Sequence, residues 1–236
     1  MLAWVTFGGW VLPAHAVATI EFGVLDVAPF AVQSEGQPLS GLYVELLRAV
    51  QERAGGNGRV TPYPLARVLS KLEDGSLGAT LAIANARILE IAEPAAEVVR
   101  LHSIVIGGRQ TRVGAFEDLH DRNVCLLRGA SFDPRLFDDP RIRRTEMPDY
   151  GACITMLRAG RVDFIAAPRV AISWLLRSGA LAATDIGEPF VLSERPVQLL
   201  VSRRLATPAR MKALDDAVQR ARADGSIAAI LKRYGQ

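Results

Sequence analysis

The stretch YPLARVLSKLEDGSLGATLAIANARILEIA, Tyr63 to Ala92, decides how the rest of the chain is read. Leu65, Val68, Leu69 and Leu72 recur at i, i+3, i+4 and i+7, which is one apolar helix face. Gly75 ends that helix, and Ala79 to Ile83 is an apolar run of buried-strand length. A loop then delivers Arg87 to the start of another helix, among Ile88, Leu89 and Ile91. A cation in a first helical turn opposes the helix dipole by a few tenths to ~1 kcal/mol, so Arg87 calls for an anion. Glu90, one turn on, is one candidate; a ligand is the other.

Outward from this stretch the same alternation continues in both directions. Ile20, Phe22 and Val24 predict a strand running into the Asp26 to Phe30 loop, and such strand ends are where open α/β sheets place ligands. Val44, Leu47, Ala49 and Val50 predict a helix ending at Gly55, followed by a strand over Val60 to Tyr63. Beyond the stretch, Leu101 to Ile106 reads as a strand, and a second unit begins near Arg109. It contains a strand over Val124 to Leu127 and the turn Arg128-Gly129-Ala130-Ser131. That turn can present N–H groups and a hydroxyl to an anion, or Ser131 can cap a helix. A helix around Ile154 and Leu157, a strand over Val162 to Ala167 and a helix over Val170 to Leu176 follow. Pro189 to Val201 is strand-like, and two helices over Ala209 to Ala223 and Ser226 to Arg233 close the chain. Strands and helices alternating in this way define an α/β protein.

The 236 residues suffice for two lobes, and 50% hydrophobic with 22% charged residues is globular composition. The net charge of +3 is modest, and the basic run Arg141 to Arg144 has no interleaved aromatics, so we expect a solvated face and no nucleic-acid partner. Leu2 to Leu12 is apolar and precedes Ala14-His15-Ala16, an A-x-A pattern, so residues 1–16 read as a signal peptide, although no basic residue precedes Arg48. An exported protein permits a disulfide between Cys125 and Cys153, while their apolar surroundings equally suit two buried thiols. His15, His102 and His120 are scattered, so neither a metal site nor a cofactor is expected.

Five segments resemble the family 3 extracellular solute-binding proteins, the periplasmic receptors of ABC importers. They are Ala28-Pro29-Phe30, the Gly41 to Leu47 segment, Tyr63-Pro64-Leu65-Ala66-Arg67 with Leu65 in place of a tryptophan, Gly160-Arg161-Val162-Asp163, and Asp224-Gly225-Ser226-Ile227 through Gly235. The resemblance implies the two-lobed periplasmic binding protein type 2 fold, with two crossover strands and a ligand cleft between the lobes. Lobe 1 would be 19–106 plus 200–236 and lobe 2 would be 107–199. It also implies a periplasmic monomer without catalytic residues, which closes on a small polar solute and delivers it to a membrane permease. By position, Arg87 falls where the family grips a carboxylate, Arg128 and Ser131 fall in its lobe 2 anion turn, and Asp26, Phe30, Tyr63, Arg67, Asn85 and Asp149 line or approach the implied cleft. Arg67 can also be solvated, and Asp26 can cap its turn.

Departures from the family pattern matter as much. Gly78 replaces its usual lobe 1 aspartate, and Pro168 followed by Arg169 replaces the acid that pairs with an α-ammonium. A buried, unpaired ammonium costs several kcal/mol. We therefore expect a carboxylate-bearing organic acid or amino-acid-like solute, with Asp149 or Glu188 supplying any counter-charge. Two other functions share the fold: an exported enzyme similar to cyclohexadienyl dehydratases, which needs a proton-donating acid in the cleft, and a ligand sensor serving a membrane signalling protein.

Overall fold

The computed structural model describes residues 20–130 and 133–236; the expected leader, residues 1–16, lies outside them. Three short strands, Phe22–Leu25 (β1), Val60–Tyr63 (β2) and Ala79–Ala82 (β3), pair in parallel with β1 in the middle. A helix follows each: Leu42–Arg53 (α1), Leu65–Asp74 (α2) and Ala86–Ile91 (α3). The long strand Ala92–Gly107 (β4) leads to Asn123–Leu127 (β5), Arg135–Asp138 (α4), Arg143–Met147 (β6) and Tyr150–Arg158 (α5). Phe164–Pro168 (β7), Arg169–Arg177 (α6), the long strand Phe190–Ser202 (β8), Pro208–Ala223 (α7) and Ser226–Arg233 (α8) complete the chain.

Among the described residues the eight strands join one sheet in the order β2-β1-β3-β8-β4-β7-β5-β6. The two long strands form an antiparallel ribbon, from Ala92 opposite Ser202 to Val105 opposite Phe190. At one end of the ribbon β3 runs antiparallel to β8, and at the other β7 runs antiparallel to β4. It follows that β1, β2 and β3 point along β4 toward the second half of the sheet, while β5, β6 and β7 point back toward the first. The carboxyl ends of six parallel strands thus confront each other across the ribbon.

Tertiary pairing explains where the elements depart from the sequence pattern. The strand expected over Leu101 to Ile106 begins at Ala92 instead. Its first part, AEPAAEVVR, carries Ala and Glu that favour helices, but the backbone is claimed by β8. Arg143 and Arg144, expected on a plain solvated face, belong to the edge strand β6. Arg144 donates to the carbonyls of Leu136 and Phe137 at 2.9 and 2.7 Å, so part of the run serves local structure. Gly78 has a steric reason to lack a side chain, because a Cβ there would lie 2.4 Å from Ile20 Cβ. The two cysteines are bonded to each other, tying β5 to α5.

One apolar core runs through Phe22, Val24, Leu46, Leu47 and Leu81 on one side of the ribbon and Ile154, Ile165 and Ile172 on the other. Helices α7 and α8 close over α1, burying Leu214, Val218 and Ile227. Polar ties seal that seam: Arg53 binds Asp224 at 2.6 Å, and Glu45 accepts from Tyr234 at 2.6 Å and from Arg233 at 2.5 Å.

Candidate ligand-binding cleft

The walls of the cleft are the loops and helix starts at the six confronting strand ends; its floor is the middle of the ribbon. Along β4 the end of β3 lies near Glu97, by way of Gln198, and the end of β7 lies opposite Ser103. Six residues of strand separate these levels, roughly 20 Å at 3.3 Å per residue. The walls nevertheless meet where the loop after β5 reaches the start of α2. A Cβ built on Gly129, after β5, would lie 2.8 Å from Leu65 Cδ2 in the first turn of α2. Gly129 also has φ +74, a left-handed conformation that suits glycine.

Charge at these strand ends is uneven. Arg67 and Arg87 are exposed in the first turns of α2 and α3, Arg128 is exposed directly after β5, and Arg169 is half-buried as the first residue of α6. None of the four has a side-chain hydrogen bond or ion pair among the described residues. In particular, Arg87 and Glu90 form no ion pair. No acidic residue occupies the first turn of α2, α3, α5 or α6. Helices α2 and α6 start after Pro64 and Pro168 and have no side-chain cap. Uncapped N–H groups and guanidinium groups together make a positive region.

The remaining expected residues divide by what holds them. Asp26 is exposed, with its backbone N–H donating to the Tyr63 carbonyl at 2.9 Å. Asn85 caps α3 by accepting from the Ile88 N–H at 3.0 Å, and Asp149 caps α5 by accepting from the Ala152 N–H at 2.8 Å. Phe30 is only 3% exposed and packs its ring on Tyr43 with centroids 4.5 Å apart, so it belongs to the core and does not line an open wall. The Tyr63 hydroxyl donates to Glu21 Oε1 at 2.8 Å, beside the amino end of β1, and so turns away from the cleft. That same bond to Glu21 raises the Tyr63 pKa above the usual phenol value. Ser131 lies outside the described residues. Glu188 follows Gly187, whose N–H donates to the Gly107 carbonyl at 3.1 Å. That is the far end of the ribbon, so Glu188 cannot supply a counter-charge in the cleft. Asp163 accepts from the Asn123 N–H at 2.7 Å, a structural tie.

Three polar groups here escaped the sequence pattern. Tyr43, at the start of α1, is 6% exposed, and Tyr150, at the start of α5, is 3% exposed. Burial pushes both phenols well above their ordinary range, and the proximity of Tyr43 pushes Tyr150 further. Neither hydroxyl has a hydrogen-bond partner among the described residues. On the ribbon, Ser103 is buried with its hydroxyl unpaired. Nothing in the sequence separates these tyrosines from core aromatics. Among the described residues no group of His, Cys, Asp and Glu is arranged to hold a metal, and no helix is long and apolar enough to cross a membrane.

Geometry of this kind, two sheet halves joined by a two-stranded ribbon with strand ends facing across it, defines the type 2 periplasmic binding protein fold, the Venus flytrap. Solved structures agree. A mutant of ArgBP from T. maritima superposes with a TM-score of 0.77 at 13% identity, covering 93% of this chain and 98% of that one. The periplasmic VFT2 domain of Bordetella pertussis BvgS gives 0.76 at 16%, covering 92% and 93%. The ancestral amino acid-binding protein AncCDT-1, a precursor of cyclohexadienyl dehydratase, gives 0.77 at 12%, covering 93% and 96%. No protein-family model matches the chain, and no curated protein matches it.

Proposed function

We propose that this protein is a family 3 type periplasmic receptor that captures a small carboxylate-bearing solute between two lobes, 19–106 plus 200–236 and 107–199. In this reading it closes by hinge motion of the ribbon and hands the solute to a membrane permease of an ABC importer. One observation carries it: Arg67, Arg87, Arg128 and Arg169, without side-chain partners among the described residues, all lie at the confronting strand ends, where no first-turn acid of α2, α3, α5 or α6 balances them. Arg87 is the carboxylate grip, since a guanidinium offers two parallel donors to a planar carboxylate. Solute capture by structural neighbours, among them an ancestral arginine-binding protein bound to arginine, supports the binding role.

A thermal-shift screen over monocarboxylates, dicarboxylates and amino acids tests it. A true ligand at 100 times its Kd adds about 2.7 kcal/mol to stability, a readily measured shift. Arg87→Ala abolishes the shift if Arg87 grips the carboxylate; a variant that keeps it in full removes Arg87 from the site. The enzyme reading draws on the resemblance to AncCDT-1 and needs a cleft acid free to donate a proton. Asp149 is engaged as a helix cap, which leaves Asp26 as the exposed candidate. Incubation with prephenate yields no aromatic product if the protein is a receptor.

A further inference from the structure

We propose that the turn after α8, Tyr234–Gly235, is a clasp held by α6, through which Arg177 sets the resting angle between the two lobes. The inference rests on the two-lobed receptor reading above and adds a control on its closure. Helix α6 belongs to the implied lobe 2 and α8 to the implied lobe 1, yet the two touch directly. Helix α6 starts at the end of β7 with Arg169 and packs along β4. Its last residue, Arg177, reaches the other lobe, where Nη2 donates to the Tyr234 carbonyl at 3.4 Å. The receiving turn suits this approach. The Gln236 N–H donates to the Leu231 carbonyl at 3.1 Å and the Gly235 N–H to the Lys232 carbonyl at 3.2 Å, the paired bonds of a Schellman turn. Those bonds occupy the last helical carbonyls and leave that of Tyr234 to accept from Arg177. Gly235 has φ +77, and a Cβ there would lie 2.9 Å from Arg177 Nη1 and 3.9 Å from Ser173 Cβ. Conformation and close approach both call for glycine. Glu45 of α1 anchors the turn from its own side through Tyr234 and Arg233, while Trp174 of α6 and Leu231 of α8 pack on the same core.

Lobes that swing about the ribbon carry α6 past the turn, so a bond made at one angle is lost at others. Here it is made at the angle that also brings Leu65 to Gly129, and the clasp therefore weights the compact arrangement. Arg177 is exposed, so water competes for both groups. A hydrogen bond of this kind shifts an opening equilibrium about twofold to tenfold, enough to tune closure without locking it.

Solution scattering on the full chain without ligand tests the clasp. Arg177→Gln removes a charged donor from an exposed position, and circular dichroism verifies that the fold is kept. Its radius of gyration rises by a measurable fraction of the roughly 18 Å expected for a compact chain of this length. Arg177→Lys keeps a cationic donor and stays closer to the native value. Ser173→Cys with Gly235→Cys reports the contact directly, because the two Cβ positions lie at a separation that a disulfide spans. The native cysteines are buried and already joined to each other. The double variant crosslinks on oxidation and then holds the compact radius. Equal radii for the native chain and Arg177→Gln, or a folded double variant that does not crosslink, overturn the clasp and leave the receptor reading standing. A screen in which no carboxylate shifts the melting temperature removes the carboxylate reading, while a wider radius in Arg177→Gln still upholds the clasp.

Discussion

Tyr43 and Tyr150 have buried rings, yet neither hydroxyl has a hydrogen-bond partner among the described residues, which leaves both able to donate to a ligand. Both sit at helix starts, α1 for one and α5 for the other, beside the confronting strand ends. Tyr43→Phe and Tyr150→Phe should leave the ligand-free melting temperature unchanged or raised, since only an unpaired polar atom is removed. The same substitutions should weaken binding of whichever carboxylate scores in the thermal-shift screen by about fivefold to tenfold, the loss of one hydrogen bond. A lower ligand-free melting temperature with unaltered affinity would mean that the hydroxyls serve the fold alone. At this scale the sequence revealed charge better than it revealed partners. Arg67, Arg87 and Arg128 stand out because arginine at a strand end or first helical turn is electrostatically odd. Tyr63 misled because its partner Glu21 lies 42 residues away in the chain. Phe30 misled because its ring is consumed by Tyr43, which the motif does not reveal.

Elements are tied by covalent and ionic links that periodicity could not foretell. The Cys125–Cys153 bond joins β5 to α5 across a separation of 28 residues. Closing a loop of that length removes unfolded-state entropy worth roughly 3–4 kcal/mol in the chain-entropy model. Cys125→Ser with Cys153→Ser should therefore lower stability by an amount of that order, read as a lower denaturant midpoint. At the other seam, Arg53 beside Asp224, with Ser226, holds the Asp224 carboxyl at about 2, below the ordinary aspartate value near 3.9. A carboxylate with a depressed folded pKa contributes stability that is complete above about pH 4 and is lost as pH falls through about 2. Melting curves from pH 6 to 2 should thus fall more steeply for the native chain than for Asp224→Asn; parallel curves would show that the tie does not matter. Most helices and strands were legible because their apolar faces repeat cleanly, as in Leu65, Val68, Leu69 and Leu72. The first part of β4 was not, since only pairing with β8, about a hundred residues later, makes Ala92 to Arg100 a strand. The disulfide stayed open for the same reason: contact across the fold decides it.

For the whole molecule, the Leu65–Gly129 contact joins the two walls of the cleft. A receptor whose closed arrangement is partly populated before binding loses less affinity to the conformational step, because the apparent Kd equals the intrinsic Kd divided by the competent fraction. The contact is apolar on one side and backbone on the other, so it favours closure. The ribbon can absorb the motion, since its pairing register shifts between Glu97 and Val99 and again between Ser103 and Ile104. Leu65→Ala tests this. It trims a half-buried side chain at a helix start, which spares the core, and it removes the apolar contact. The ligand-free radius of gyration from solution scattering should rise in Leu65→Ala relative to the native chain, because the contact that favours closure is gone. With a saturating carboxylate the two proteins should converge on one compact value, at a severalfold weaker affinity for the variant. Equal ligand-free radii would show that the contact does not bias closure, and a variant that stays expanded at saturation would show that Leu65 is needed to close at all.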